Sequence, residues 1–168
     1  MMNLSGSWVA MPTPFTEDNK IDFNGFETLI NRQIKYGTSQ LFIMGSAGEV
    51  TLLTQEEKHA IVKEVIAMTK GRIPVFFSAA AFTTDASIEM AKYCQEAGAD
   101  GVVFTVPPYV LINQHAVMSH FDACMGSIDI PCGIYNNPSR LGVQVRPETI
   151  KALSDKHPNF VVDKEALP

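Results

Sequence analysis

The chain alternates short apolar runs with amphipathic stretches of helical length, and this alternation constrains the fold more than any other feature. The apolar runs read as buried strands, and they cover residues 7–11, 40–44, 74–78, 101–105, 132–135 and 160–162. Strands that alternate with helices predict a parallel sheet with helices packed against it.

The amphipathic stretches carry recognisable start and stop signals. Helices are predicted over about 22–36, 54–69, 85–97, 114–127 and 147–157. Asp22 is a capping residue for the first helix and Gly37 its stop. Thr54 and Glu57 form a capping box for the second, and Pro147 suits the first turn of the fifth.

Two architectures fit six strands and five helices. An open doubly wound sheet suits the length of 168 residues, whereas a complete (β/α)₈ barrel typically takes ~250 residues. A doubly wound sheet, however, predicts a glycine-rich turn after the first strand, and Pro12-Thr13-Pro14-Phe15 stands there instead. Periodicity alone leaves both architectures open.

The composition of the chain limits the classes of function that it can have. A net charge of -5 provides no basic surface for nucleic acid, and no apolar stretch is long enough to span a membrane. The start of the chain lacks a signal-peptide pattern. Three cysteines, Cys94, Cys124 and Cys132, fall in apolar segments and are predicted to be reduced core thiols. We therefore expect a cytoplasmic protein with a single domain over residues 1–168.

Lys164 is the strongest candidate in the sequence for a chemically reactive residue. It follows the apolar run 160–162 and Asp163, so it is predicted at the end of a buried strand. Burial penalises a charged amine, and a neutral lysine can form a Schiff base with a ketone or aldehyde. A lone lysine past a strand end is more often a surface residue, so its neighbours must decide between the two interpretations.

Other strand ends also carry polar groups, and in either architecture ligands bind at the carboxyl ends of the strands. The loop after the second strand contains Ser46 between two glycines, which permits close backbone approach to an anion. Tyr109 follows the fourth strand. Tyr135 ends the fifth and could transfer protons, while Arg140 could bind a carboxylate.

Other chemistries have little support in the sequence. The histidines are scattered, at His59, His115, His120 and His157. There is no H-E-x-x-H pattern or carboxylate cluster with metal-ligand spacing, and no G-x-S-x-G nucleophile turn. We predict no metal.

Together the strand-end motifs resemble the dihydrodipicolinate synthase/N-acetylneuraminate lyase family, and the resemblance runs through the whole chain. The motifs are Thr13-Pro14-Phe15, Gly45-Ser46-Ala47-Gly48-Glu49 followed by Thr51-Leu52, Glu56-Glu57, Ala97-Gly98-Ala99-Asp100-Gly101, Pro107-Pro108-Tyr109, Tyr135-Asn136-Asn137-Pro138-Ser139-Arg140 and Asp163-Lys164-Glu165. The resemblance implies a (β/α)₈ TIM barrel, of which this chain holds only the first six strands and five helices.

The resemblance also implies a class I, Schiff-base-forming lyase or aldolase that acts on pyruvate or another 2-keto acid, with an aldehyde as its second substrate. Lys164 would form the Schiff base, and Tyr135 would shuttle protons above it. Ser46 would relay protons beside the bound keto acid. Tyr109 would be the relay tyrosine that, in the synthases, reaches into a neighbouring subunit.

Substrate binding follows from the same resemblance. Backbone N–H groups at Ser46 and Ala47 would hold the keto-acid carboxylate, and Arg140 would bind the carboxylate of the second substrate. No cofactor is implied beyond the lysine itself, and a homo-oligomer, a dimer or tetramer, is expected. Ala47 departs from the usual second hydroxyl, and Pro108 replaces what is often a second tyrosine. These departures favour a divergent member that acts on a sugar-acid-derived or aromatic 2-keto acid.

The length leaves alternatives open. A barrel must close, and six strands are too few to close an eight-stranded one. We therefore expect the sequence to be a truncated part of a longer protein. Two alternatives are a non-catalytic barrel fragment that serves as a structural or interaction module, and a 2-keto-3-deoxy sugar acid dehydratase or aldolase of the same family. A weaker alternative is an open-sheet domain that binds a phosphorylated ligand at 45–49.

Overall fold

The computed structural model describes residues 3–166, which fall into two compact units. One unit runs up to Ser78 and includes Ala97–Asp100, and the other comprises Ala79–Glu96 and the residues from Gly101 onward. The strands are β1 (Trp8–Ala10), β2 (Gln40–Ile43), β3 (Val75–Ser78), β4 (Gly101–Phe104), β5 (Cys132–Asn136) and β6 (Phe160–Glu165). The helices are α1 (Phe23–Lys35), α2 (Gln55–Thr69), α3 (Thr84–Ala97), α4 (Gln114–Met125), α5 (Pro138–Leu141) and α6 (Pro147–Lys156), with a short 3₁₀ helix at Ser46–Gly48. The prediction of one domain over residues 1–168 stays a prediction.

In the first unit, β1, β2 and β3 pair in parallel and in chain order. Every residue of β2 and β3 is buried, as expected for parallel strands that are covered on both faces. The Trp8 and Phe76 rings lie 4.6 Å apart between centroids. The Asp100 carboxylate accepts a hydrogen bond of 2.9 Å from the Val75 N–H, which fixes the start of β3.

In the second unit, β4 pairs with β5 and β5 with β6, again in parallel. Helix α4 buries His120, whose Nε2–H donates to the Thr105 carbonyl at 3.0 Å. Its Nδ1 therefore accepts from the Thr84 hydroxyl at 2.9 Å. Burial lowers the pKa of His120, partly offset by the bond to Thr105. This histidine is a core residue that joins α3, α4 and the end of β4.

The capping signals in the sequence are confirmed. The Asp22 side chain accepts from the Gly25 N–H, and Thr54 and Glu57 form the reciprocal bonds of a capping box before α2. The three cysteines are free and buried, and burial raises the pKa of each thiol to about 12, so they are the core thiols that the sequence predicts.

Two predicted elements differ from the structure. The chain forms a short helix, α5, directly after β5, where the sequence analysis placed only a loop. Strand β6 extends to Glu165 rather than ending at Val162, and its residues alternate between half-buried and exposed. The apolar run 160–162 misleads because the strand continues through charged residues, which a strand with a solvated face accommodates at alternate positions.

An ion cluster joins α4 to the end of α6. Lys156 Nζ lies 2.6 Å from one Asp122 carboxylate oxygen and 2.8 Å from the other, and His157 Nε2 lies 2.7 Å away. The hydrogen bond from Lys156, then that from His157, holds the pKa of Asp122 below its ordinary value of 3.8.

The Asp122 cluster predicts a pH-dependent contribution to stability. A carboxylate with a lowered folded-state pKa stabilises the fold above its unfolded pKa and loses that contribution as the pH falls through the folded value. We expect Asp122→Asn to lower the free energy of unfolding at pH 7 by up to ~1 kcal/mol, since solvent screens this partly exposed pair.

Urea denaturation at several pH values measures that contribution. The difference between wild type and Asp122→Asn should shrink as the pH falls below about 4. Asp155→Asn is the matched control, because its pair with Lys151 lies on an exposed helix face and should contribute little. A difference that stays constant down to pH 2 would contradict this account of the cluster.

Candidate active site

Strands β5 and β6 bring Tyr135 and Lys164 side by side. The two residues are register partners in the parallel pair, and Lys164 Nζ lies 3.9 Å from the centroid of the Tyr135 ring. Tyr135 is 9% exposed and Lys164 is half-buried. The ring face attracts the charged form of the amine, so this contact fixes where the end of the lysine side chain lies.

The Tyr135 hydroxyl is held by the loop that follows β5. Asn137 Nδ2 donates to the phenol oxygen at 2.5 Å, and the Ser139 hydroxyl donates to Asn137 Oδ1 at 2.7 Å. Because the phenol oxygen accepts this bond, its own O–H proton is not used in it. Tyr135 therefore has the orientation and the proton that a general acid needs.

Asn136 is a site-supporting residue that sequence reasoning missed. Its side chain is 1% exposed, donates to the Val145 carbonyl at 2.9 Å and accepts from the Val145 N–H at 3.0 Å. It also donates to Glu165 at 3.0 Å. In the sequence, Asn136 stood out only as an amide after a strand and as part of the motif 135–140, and neither signal identifies partners nine and twenty-nine residues further on.

Lys164 is the penultimate residue of β6, and the strand that the sequence predicted to be buried is only half-buried. The lysine lies within β6, not past its end, and its strand neighbours Asp163 and Glu165 are exposed where Lys164 is half-buried. Although the residue as a whole is exposed, neighbouring atoms displace part of the water around the Asp163 carboxylate. This desolvation, and to a lesser extent repulsion from Glu165, raises the pKa of Asp163 above its ordinary 3.8. Alternation along the strand directs both acids away from the face that Lys164 and Tyr135 share.

Two other predicted site residues of the same unit lie on its surface. Tyr109 is 92% exposed, at a positive φ of 76° in the loop after β4. Arg140 is exposed in α5. In the described chain, the cluster at the end of β5 thus consists of Lys164, Tyr135 and the asparagines behind them, with Tyr109 and Arg140 outside it.

The predicted Ser46–Ala47 loop belongs to the first unit. Met44 takes a positive φ of 59° after β2, and a 3₁₀ helix over Ser46–Gly48 follows. Both Ser46 and Ala47 are exposed. The first N–H groups of such a turn have no carbonyl partner within it, so this backbone can donate to an anion.

Two contacts fix the shape of that loop. A Cβ at Gly45 would lie 2.6 Å from a carbon of the Phe42 ring, so glycine is required for the ring to pack there. The Thr13 hydroxyl donates to the Gly48 carbonyl at 2.6 Å in a buried position. Thr13 was recognised in the sequence only as part of a motif, and the structure assigns it this contact.

The family of this chain follows from its similarity to known proteins. The model of the dihydrodipicolinate synthetase family matches residues 3–167. The chain belongs to the dihydrodipicolinate synthetase family. The resemblance inferred from the strand-end motifs is thereby confirmed.

Curated members of the dihydrodipicolinate synthetase family align with nearly the whole chain. A 4-hydroxy-tetrahydrodipicolinate synthase of Clostridium novyi is 36% identical over 99% of this chain and 55% of its own length. One from Methanococcus maripaludis is 33% identical over 98% of this chain and 57% of its own length. The chain thus spans about half the length of the curated relatives that it matches.

Solved structures with a similar fold belong to the same family as the relatives found by sequence. Dihydrodipicolinate synthase from Aquifex aeolicus matches with a TM-score of 0.94 and 32% identity, over 97% of this chain and 55% of that one. A prophage protein of the dihydrodipicolinic acid synthase family from E. coli K12, in complex with pyruvate, matches with a TM-score of 0.94 and 31% identity, over 98% and 55%. The predicted fold class, the first strands of a (β/α)₈ barrel, is confirmed.

The described residues add two negative observations. Within residues 3–166, no three histidine, cysteine, aspartate or glutamate side chains are grouped so that they could hold a metal ion. Over the same range, every helix is too short or too polar to cross a membrane.

Proposed function

We propose that this chain carries the Schiff-base-forming residues of a class I lyase or aldolase that acts on pyruvate or another 2-keto acid. The observation that carries the proposal is the Lys164 amine 3.9 Å above the Tyr135 ring, in register on adjacent strands. Membership of a family whose curated relatives are named as synthases, and which includes a prophage protein solved in complex with pyruvate, supports the same reaction class.

The chemistry begins when the Lys164 amine loses its proton and attacks the 2-keto carbon. Loss of water leaves a protonated imine, which withdraws electrons from C3. A proton leaves C3 to give an enamine, and the enamine carbon attacks an aldehyde to form the new C–C bond. Hydrolysis of the imine then releases the product and regenerates the amine. The reverse sequence is a retro-aldol cleavage.

Tyr135 is proposed as the proton carrier for these steps, because its hydroxyl is oriented by Asn137 and retains its own proton. Ser46 is proposed as a second relay, and the backbone at Ser46 and Ala47 as the donor to the keto-acid carboxylate. Arg140 is proposed to bind a carboxylate of the second substrate, since its planar guanidinium suits bidentate contacts.

The remaining parts of the proposal concern the assembled protein. Tyr109, exposed on its loop, is proposed to act in the site of a neighbouring copy, within a homodimer or homotetramer. The lysine replaces any dissociable cofactor, and the protein is proposed to work in the cytoplasm. Its substrates are proposed to be pyruvate, or another 2-keto acid, and an aldehyde.

Reductive trapping tests the proposal directly. The 168-residue chain is incubated with pyruvate and borohydride, digested and mapped by mass spectrometry. Hydride reduces the imine to a stable secondary amine, so a pyruvate-derived adduct is expected at Lys164. Lys151 and Lys156, which both pair with aspartates on the surface, serve as internal comparisons and should stay unmodified. A folded chain without an adduct, or with one only at other lysines, would favour the non-catalytic module.

A further inference from the structure

The pairing of β5 with β6 contains a break in register. Cys132 is the partner of Phe160, but the next residue, Gly133, is the partner of Val162. Strand β6 thus advances by two residues where β5 advances by one, and Val161 is the extra residue of a β-bulge. Its side chain is 41% exposed.

The bulge decides which residue lies beside Tyr135. If the pairing of Cys132 with Phe160 continued without a break, Tyr135 would be the partner of Asp163. A shift of one residue moves every following side chain to the other face of the sheet. Lys164 would then share a face with Asn136 instead of Tyr135. With the bulge, Lys164 is the partner of Tyr135, and its amine reaches the ring.

Glycine at position 133 permits the close approach at the bulge. A Cβ on Gly133 would lie 2.8 Å from the Val162 carbonyl oxygen and 2.9 Å from the Val162 Cβ. Both neighbours are fixed atoms of the next strand, not the ends of flexible side chains. Any larger residue would push β6 away from β5 two residues before Lys164.

The register is also held after the lysine. Asn136 Nδ2 donates to the Glu165 carboxylate at 3.0 Å, and the Ala166 N–H donates to the Asn136 carbonyl at 3.0 Å. Lys164 therefore lies between two anchored points, the close contact at Gly133 and the bonds at Asn136. If a substitution at Gly133 moves β6, the bonds at Asn136 still hold its far end. The residues between these two points, including Lys164, must then shift.

We propose that Gly133 is a positioning residue for Lys164: together with the bulge at Val161, it sets the face and the register that bring the amine to Tyr135. The inference rests on the proposed Schiff-base function for its chemical consequence. Its structural content, the pairing of Lys164 with Tyr135, stands apart from that function and is tested separately.

The first test compares Gly133→Ala with Ile134→Val, which trims a buried residue of the same strand without entering the close contact. Trapping of pyruvate at Lys164 is followed as a function of pyruvate concentration. The rate of a reaction falls steeply when a reacting group is displaced. Gly133→Ala should therefore lower the limiting trapping rate by about 100-fold. The half-saturating pyruvate concentration should stay unchanged, because the substitution displaces the amine and removes no group that binds pyruvate. Ile134→Val should leave both values near wild type.

The second test needs no reaction. Nuclear Overhauser contacts between the Lys164 side chain and the Tyr135 ring should be present in the wild-type chain and lost in Gly133→Ala. Wild-type contacts that pair Tyr135 with Asp163 would overturn the inference even if the alanine variant does not fold. An unchanged trapping rate in folded Gly133→Ala would also overturn it and leave the proposed function intact. Correct contacts in a wild-type chain that traps no pyruvate would instead defeat the proposed function alone.

Discussion

Replacement of Lys164 by arginine should abolish the pyruvate adduct while the chain remains folded. The guanidinium keeps the length and charge of the side chain and can still lie over the Tyr135 ring. It remains protonated at every accessible pH, so it has no free electron pair for attack on a keto carbon. The expected result is a complete loss of trapping at residue 164, with little change in the free energy of unfolding.

The matched control for that result is Lys156→Arg. Lys156 binds Asp122 through two short contacts at the end of α6, so its replacement changes a lysine without entering the candidate site. Trapping in this variant should match wild type. The assignment of Lys164 as the nucleophile fails if Lys164→Arg still gains a pyruvate-derived mass on the same peptide or elsewhere at the wild-type rate.

The sequence predicted the framework well because its signals are local. Asp22 and Thr54 accept from N–H groups three residues further on, and such short-range bonds can be read from spacing. The strands β2 to β4 are continuous apolar runs because both of their faces are buried. The first five strands were therefore found to within one or two residues at each end.

The details of the site depend on contacts between distant residues. The pairing of Tyr135 with Lys164 follows from a bulge that the missing Cβ at Gly133 permits, and the absence of that Cβ matters only because Val162 lies opposite. Likewise, the partners of Asn136 come from a loop and from another strand. The family resemblance could nominate Lys164 and Tyr135, but periodicity could not reveal what holds them together.

Tyr135→Phe should separate proton transfer from imine positioning. Phenylalanine keeps the ring beneath Lys164 and removes only the hydroxyl that Asn137 binds. General acid–base catalysis typically contributes 10²–10⁴-fold, so exchange of the pyruvate methyl protons in D₂O should slow by about that factor. The loss of one hydrogen bond should cost about 1 kcal/mol of folding stability.

Tyr36→Phe is the matched control, because Lys35 also lies over the Tyr36 ring, at 5.7 Å, at the exposed end of α1 in the first unit. Its exchange rate should equal that of wild type. Proton NMR follows the methyl signal, and trapping at saturating borohydride reports the imine in the same samples. If Tyr135→Phe exchanges methyl protons as fast as wild type, the hydroxyl is not the proton carrier. Ser46, the other proposed relay, then becomes the group to replace, since the ring of residue 135 would serve only to hold the Lys164 amine in place.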